Sequence, residues 1–216
     1  MSDIYIYISD KIYIFNIMQS IEEKILKRIR GSGCGSVYTS REFLDIGNRT
    51  AIDKGLSRLS KKGILRRIAR GIYGYPERNA LIGERSPNPE TVAIALARRG
   101  GQKIVPSGAT AANLLGLTNQ VPAKIEYLTE GPSRRIMINQ LPIVLKQTTS
   151  LNMATAGRVT GTVIQALRFL RKEHVDNKTI DKLCARLSKE DKQQLLRDIR
   201  LAPAWMGTIF RKVAEQ

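Results

Sequence analysis

Histidine and cysteine are nearly absent from this chain. One His and two Cys stand among 216 residues. That is too few for a zinc finger, a zinc ribbon or most other thiolate or imidazole metal sites, which need three or four such ligands. A disulfide scaffold is excluded as well, and two thiols suit a reducing cytoplasm. A single His leaves little room for His-based acid–base catalysis. Acidic residues are also scarce, 19 Asp and Glu against 36 Lys and Arg. No Asp-x-Asp cluster offers a two-metal site, which counts against an enzyme acting on nucleic acid. No uncharged apolar stretch reaches about 18 residues, so no membrane span is expected. Neither the basic n-region nor the small-residue cleavage site of a signal peptide is visible.

What is present is a foldable, strongly basic chain. It is 42% hydrophobic, enough for a real core, and its formal net charge is +17. Such an excess points to a polyanionic partner, with nucleic acid the first candidate. The length allows one large domain or two small ones. Residues 18–85 hold 15 basic and 7 acidic side chains, residues 86–150 hold 7 and 3, and residues 151–216 hold 13 and 7. The breaker-rich run Ser86-Pro87-Asn88-Pro89 is the candidate boundary. Before it, residues 1–17 form an Ile/Tyr-rich extension that predicts a loosely attached strand or hairpin, and Met18 is a candidate natural start.

Residues 18–85 read as helix, helix, helix, hairpin. Ile21, Ile25, Leu26 and Ile29 recur at helical spacing up to Arg30, with Ser20 and Glu23 in capping-box positions. Gly31, Gly33 and Gly35 form a loop, without the Lys-Ser/Thr ending of a phosphate-cradling P-loop. Thr39 and Glu42 frame a short helix carrying Phe43 and Leu44. Asn48 caps a third helix running to about Lys62 and ended by Gly63. At about 100° per residue, Ile52, Leu56 and Leu59 share one stripe of that third helix, with Gly55 beside them. Thr50, Lys54, Ser57 and Lys61 share the opposite stripe. Next, Ile64 to Ile68 combines apolar and basic residues, with Arg66 and Arg67 in the run, Ala69-Arg70-Gly71 turns, and Ile72 to Tyr75 returns. A short helix, a glycine turn, an amphipathic basic helix and a basic hairpin predict a winged helix-turn-helix. Arg, Lys, Ser and Thr side chains suit base edges and phosphates. The candidate DNA contacts are Ser40, Arg41, Arg49, Thr50, Lys54, Ser57, Arg58, Lys61, Lys62, Arg66, Arg67 and Arg70.

Four runs carry a family likeness: Thr39 to Gly47, Arg49 to Asp53, Leu56-Ser57-Arg58-Leu59, and Gly63 to Tyr73. Together they resemble the AbiEi-type antitoxins and, more narrowly, the DUF6088-like proteins of bacterial toxin–antitoxin loci. The likeness covers residues 18–150 well and 151–216 more loosely. It implies a transcriptional autorepressor that binds an inverted-repeat operator in double-stranded DNA. It also implies a second domain that opposes a nucleotidyltransferase-like toxin, with contact direct or indirect. Gly55 departs from the pattern, since a small alanine-like residue is expected there. Glycine costs about 1 kcal/mol against Ala in a helix interior, which predicts close packing at that position.

Past the boundary, Pro89 opens a helix with Val92, Ile94, Ala95 and Leu96 on its apolar side, stopped by Gly100 and Gly101. Ile104-Val105-Pro106 is extended, and Ser107 to Leu117 reads as a small-residue helix capped by Ser107. Strands are expected over Lys124 to Thr129, Arg134 to Ile138 and Ile143 to Thr148, forming an antiparallel meander. From about Arg158 onward the chain reads as helices. One spans about Arg158 to Glu173, one follows Asp176 or Asn177, one opens at Ser188 with Asp191, and the last begins at Pro203. His174 sits at a helix end, Cys184 is a core thiol, and Arg168, Arg171 and Lys172 form a basic patch.

The expected fold class is therefore α+β: an N-terminal winged helix-turn-helix over 18–85, then a mixed α+β domain over 86–216 ending in helices from 151. The expected function is a DNA-binding autorepressor and antitoxin, in the cytoplasm and nucleoid-associated when bound to DNA. No catalytic residue, metal or cofactor is called for. A homodimer on DNA fits a two-fold operator. The alternative is an antitoxin or adaptor that neutralises its partner by direct protein contact, with DNA binding secondary.

Overall fold

A computed structural model describes residues 4–8, 11–15, 20–79 and 83–215. The reading of Met18 as a natural start lies outside them. The protein is mixed α+β. It divides into two compact units, Met1–Arg85 and Ser86–Gln216.

In the first unit, β1 (Ile4–Ile8) and β2 (Lys11–Phe15) pair antiparallel, Ile4 opposite Phe15. Helix α1 (Ile21–Ser32) begins where reciprocal capping requires: the Glu23 amide donates to Ser20 Oγ and the Ser20 amide to Glu23 Oε2. It runs two residues past Arg30 and stops at Gly33, which turns the chain at φ +81. Two-residue β3 (Val37–Tyr38) follows, a strand too short to show alternation in the sequence. The expected second helix is a single 3₁₀ turn, Ser40–Phe43, with the Thr39–Glu42 capping box in place. Helix α2 (Arg49–Lys61) starts at Asn48, whose Oδ1 accepts from the Ala51 amide. Then β4 (Arg66–Ala69) and β5 (Ile72–Gly74) form a hairpin with a bulge between Arg67 and Ala69, and β3 pairs on the other side of β5. The core is Ile25, Ile29, Tyr38, Phe43, Ile52, Leu56, Leu59, Leu65 and Tyr73. A short β6 (Arg78–Asn79) and β7 (Gly83–Glu84) pair near the end of this unit.

In the second unit, Asn88 caps α3 (Pro89–Arg99), which buries Val92, Ala93, Ala95, Leu96 and Ala97. The sheet departs from the expected antiparallel meander. Its strands β8 (Ile104–Pro106), β9 (Ile125–Thr129), β10 (Arg134–Ile138) and β11 (Leu141–Gln147) stand in the order β10-β11-β9-β8, and β11 runs parallel to β9. Burial explains the insertion of β11. Its Ile143 and Leu145 are fully buried and belong at the centre, whereas β10 carries Arg134, Arg135 and the exposed Met137 and suits an edge. Pro142, which has no amide hydrogen, precedes the stretch of β11 that pairs with β9.

The helical part packs α4 (Gly108–Leu114) through Ala111 and Ala112 against α6 (Val159–Leu170). Ser107 occupies the cap position of α4, but its side chain makes no capping hydrogen bond. The helix ends at Leu114 rather than Leu117 because Gly116 leaves it at φ +68. After the short α5 (Ser150–Met153) and α6 come α7 (Asn177–Arg186), capped by Asp176, and α8 (Lys189–Arg197), opened by the Ser188–Asp191 box. Helix α9 (Met206–Glu215) starts three residues after Pro203. Leu167, Leu183, Leu195, Met206, Phe210 and Val213 close the core. Within it, buried Asp198 accepts from Arg158 and from Gln194 Nε2 at 3.0 Å, so its charge is paired.

Candidate nucleic-acid interface

The two stripes of α2 separate as their spacing predicts. Ile52 and Leu56 are fully buried and Leu59 nearly so, while Thr50, Lys54 and Lys61 are exposed and Ser57 is half-buried. The apolar side is held against α1 at very short range. A Cβ on Gly55 would lie 3.1 Å from Ile25 Cδ1, which explains glycine in mid-helix. Close approach is what the missing side chain permits, and it offsets the helix-propensity cost.

Ion pairs then sort the cations. Glu22 of α1 accepts from Arg58 Nη1 at 3.2 Å and from Lys62 Nζ at 2.7 Å, and its carboxyl is held below the usual range, Lys62 being the larger cause. Arg49 pairs with Asp53 one turn along at 3.1 Å. Among the described residues Lys54, Lys61, Arg41 and Arg67 have no ion-pair partner. Arg66 and Arg67 are exposed on β4, and Arg70 is exposed in the turn before Gly71, whose φ of +70 tightens the hairpin. The exposed cations of α2 and of the β4–β5 hairpin thus belong to consecutive elements of one unit.

One expected contact residue is buried. Ser40, the first residue of the 3₁₀ turn, is 2% exposed and offers a ligand almost no surface. Arg41, next to it, is exposed.

Two positioning groups were not legible from sequence. Arg28 donates from Nη1 to Asp45 Oδ1 at 2.7 Å and from Nη2 to Oδ2 at 2.5 Å, and also from Nη1 to the Glu42 carbonyl at 2.7 Å. Its guanidinium carbon lies 5.8 Å from the Phe43 ring centre. The pair ties α1 to the turn that launches α2, and the Arg28 guanidinium pulls the Asp45 carboxyl down to about 2. Glu22 ties α1 to the far end of α2. Their partners lie 17, 36 and 40 residues away, beyond the reach of any local pattern.

The second basic cluster, Arg168, Arg171 and Lys172, is exposed, as is His174. Cys34 is exposed, while Cys184 is half-buried with its Sγ 3.7 Å from the Val213 carbonyl oxygen. Among the described residues no group of three His, Cys, Asp or Glu side chains is arranged to hold a metal ion, and no helix is long and apolar enough to cross a membrane.

Comparison with known proteins adds a family. No curated protein matches the sequence. Among solved structures, the crystal structure of the RV2827C protein from Mycobacterium tuberculosis overlaps 88% of this chain and 80% of its own, at 16% identity and a TM-score of 0.43. Residues 21–195 match a family described as a family of unknown function, DUF6088. The chain belongs to the DUF6088 family.

Proposed function

We propose that residues 18–85 form a winged helix-turn-helix that binds double-stranded DNA, with α2 as the recognition helix and the β4–β5 hairpin as the wing. The observation that carries this reading is the outward Thr50, Lys54 and Lys61 stripe on a helix whose opposite side is fully buried. A helix of 13 residues is about 20 Å long and fits across a major groove. Lys54 and Lys61 reach base edges or phosphates, and Ser57 stands half-exposed between them. Exposed Arg66 and Arg67 add positive charge to the wing, and Arg70 at the hairpin tip contacts phosphate or the adjacent minor groove.

The wider role we propose is that of an antitoxin. The protein represses its own operon and counteracts a nucleotidyltransferase-like toxin. That part rests on the resemblance of residues 39–73 to AbiEi-type antitoxins.

A binding titration on the duplex upstream of its own gene tests the DNA reading. Lys54→Ala and Lys61→Ala each weaken specific binding, by about 1–3 kcal/mol where a base contact is lost. Arg70→Ala weakens specific and random duplexes alike. Unchanged affinity in both lysine variants overturns the recognition-helix assignment. Growth rescue against the product of the neighbouring reading frame tests the antitoxin role.

A further inference from the structure

The connection between α6 and α7 stands outside the proposed duplex site, and it holds an unusual residue. Arg171 lies at φ +67 and ψ 153, a region that side-chain-bearing residues enter only under strain. Among the described residues Asn139 is the other non-glycine with positive φ, and asparagine tolerates it in turns. Arginine does not share that tolerance. The strained residue is pinned on both sides, its amide donating to the Leu167 carbonyl at 3.0 Å and its carbonyl accepting from the His174 amide at 3.2 Å. Glycine would serve the backbone better, so what the position gains from arginine is its guanidinium.

The neighbours of Arg171 fit one ligand chemistry. Phe169 is 43% exposed, a large ring partly in solvent within three residues of three cations, Arg168, Arg171 and Lys172. Arg168 donates from Nη1 to Asn152 Oδ1 at 2.7 Å, fixing the end of α6 to α5. Glu173 is the single carboxylate of the 168–174 run, and Asp176 beyond it is occupied in capping α7 through the Thr179 amide and hydroxyl. An acidic protein surface would need the cations but not the ring. A duplex offers phosphates but hides its base faces. An unpaired strand offers both, and an aromatic platform beside cations is how such strands are held.

We propose that this connection binds single-stranded nucleic acid, with a base stacked on Phe169 and the flanking phosphates on Arg171 and Lys172. Fluorescence anisotropy of the full chain with labelled 12-nucleotide oligo-dT and oligo-U tests it, and the two probes separate DNA from RNA. Phe169→Ala weakens strand binding by at least about fivefold. It leaves the slope of log K against log salt unchanged, because stacking releases no counterion. Phe169→Trp retains affinity. Arg171→Gly lowers that slope by about 0.7, the loss of one phosphate contact on a single strand. Its thermal midpoint does not fall, because the strain is relieved. Duplex affinity is unchanged in all three. Wild-type strand affinity in Phe169→Ala overturns the proposal. So does an equal loss on strand and duplex, or displacement of the oligonucleotides by polyglutamate at equal charge concentration.

Discussion

Asp45 is an exposed carboxylate whose ordinary range is lowered by its pairing with Arg28. Two parallel hydrogen bonds from Arg28 favour its charged form and move it from its ordinary 3.8 to about 2. A carboxyl whose folded value is depressed adds stability above its unfolded value, and that contribution is lost as pH falls through the folded value. The window for this pair therefore runs from about 4 down to about 2. Carboxyl-carbon NMR checks it: Asp45 titrates near 2 in the native protein and near 4 in Arg28→Ala. A native midpoint near 4 would show that the pair does not form in solution. Gly55 teaches a related lesson at the same scale. The sequence marks it as an oddity inside a helix and hints at close packing. The structure supplies the partners: a Cβ there would stand 3.1 Å from Ile25 Cδ1 and 3.5 Å from Ile21 Cγ2.

At the scale of elements, α2 is both anchored and restrained by α1. Glu22 sits under its last turn and engages two of its cations, Arg58 and Lys62, whose side chains are 66% and 60% exposed. Such solvent-screened pairs contribute little to stability. Their larger effect is on the field in front of the helix, where one carboxylate reduces two positive charges to a net of one. Glu22→Gln is expected to bind the upstream duplex a few-fold tighter at low salt, with the gain fading as salt screens it. Titrations at two salt concentrations check this. Weaker binding instead would mean that the ion pair orients Arg58 and Lys62 productively.

Elements were legible where their determinants are local. The boxes Ser20–Glu23, Thr39–Glu42 and Ser188–Asp191 each span three residues, and each formed. Pairings set by distant partners were not legible. Strand β3 is two residues long, and β11 stands between β9 and β10, where Ile143 and Leu145, on one face of the strand, are fully buried, a placement no window around β11 reveals.

For the molecule as a whole, positive charge is spread over both units. Met1–Arg85 holds 16 basic and 9 acidic side chains, and Ser86–Gln216 holds 20 and 10. Charge so distributed favours polyanions in general and carries no sequence information by itself. On the proposed function, discrimination falls to α2, and a helix about 20 Å long covers roughly half a duplex turn of about 34–36 Å. One copy would then read only a few base pairs. Two copies on half-sites about 10 base pairs apart lie on the same side of the duplex and double the sequence read. Under the proposed function, cooperative binding to the upstream region is expected to depend on helical phase. Inserting 5 base pairs between half-sites rotates the second copy to the opposite side and abolishes cooperativity, whereas inserting 10 or 11 restores the facing and recovers part of it. Gel shifts that count one-copy and two-copy complexes on the three spacings measure this. Equal cooperativity at every spacing would mean that the copies do not assemble through a fixed geometry on DNA.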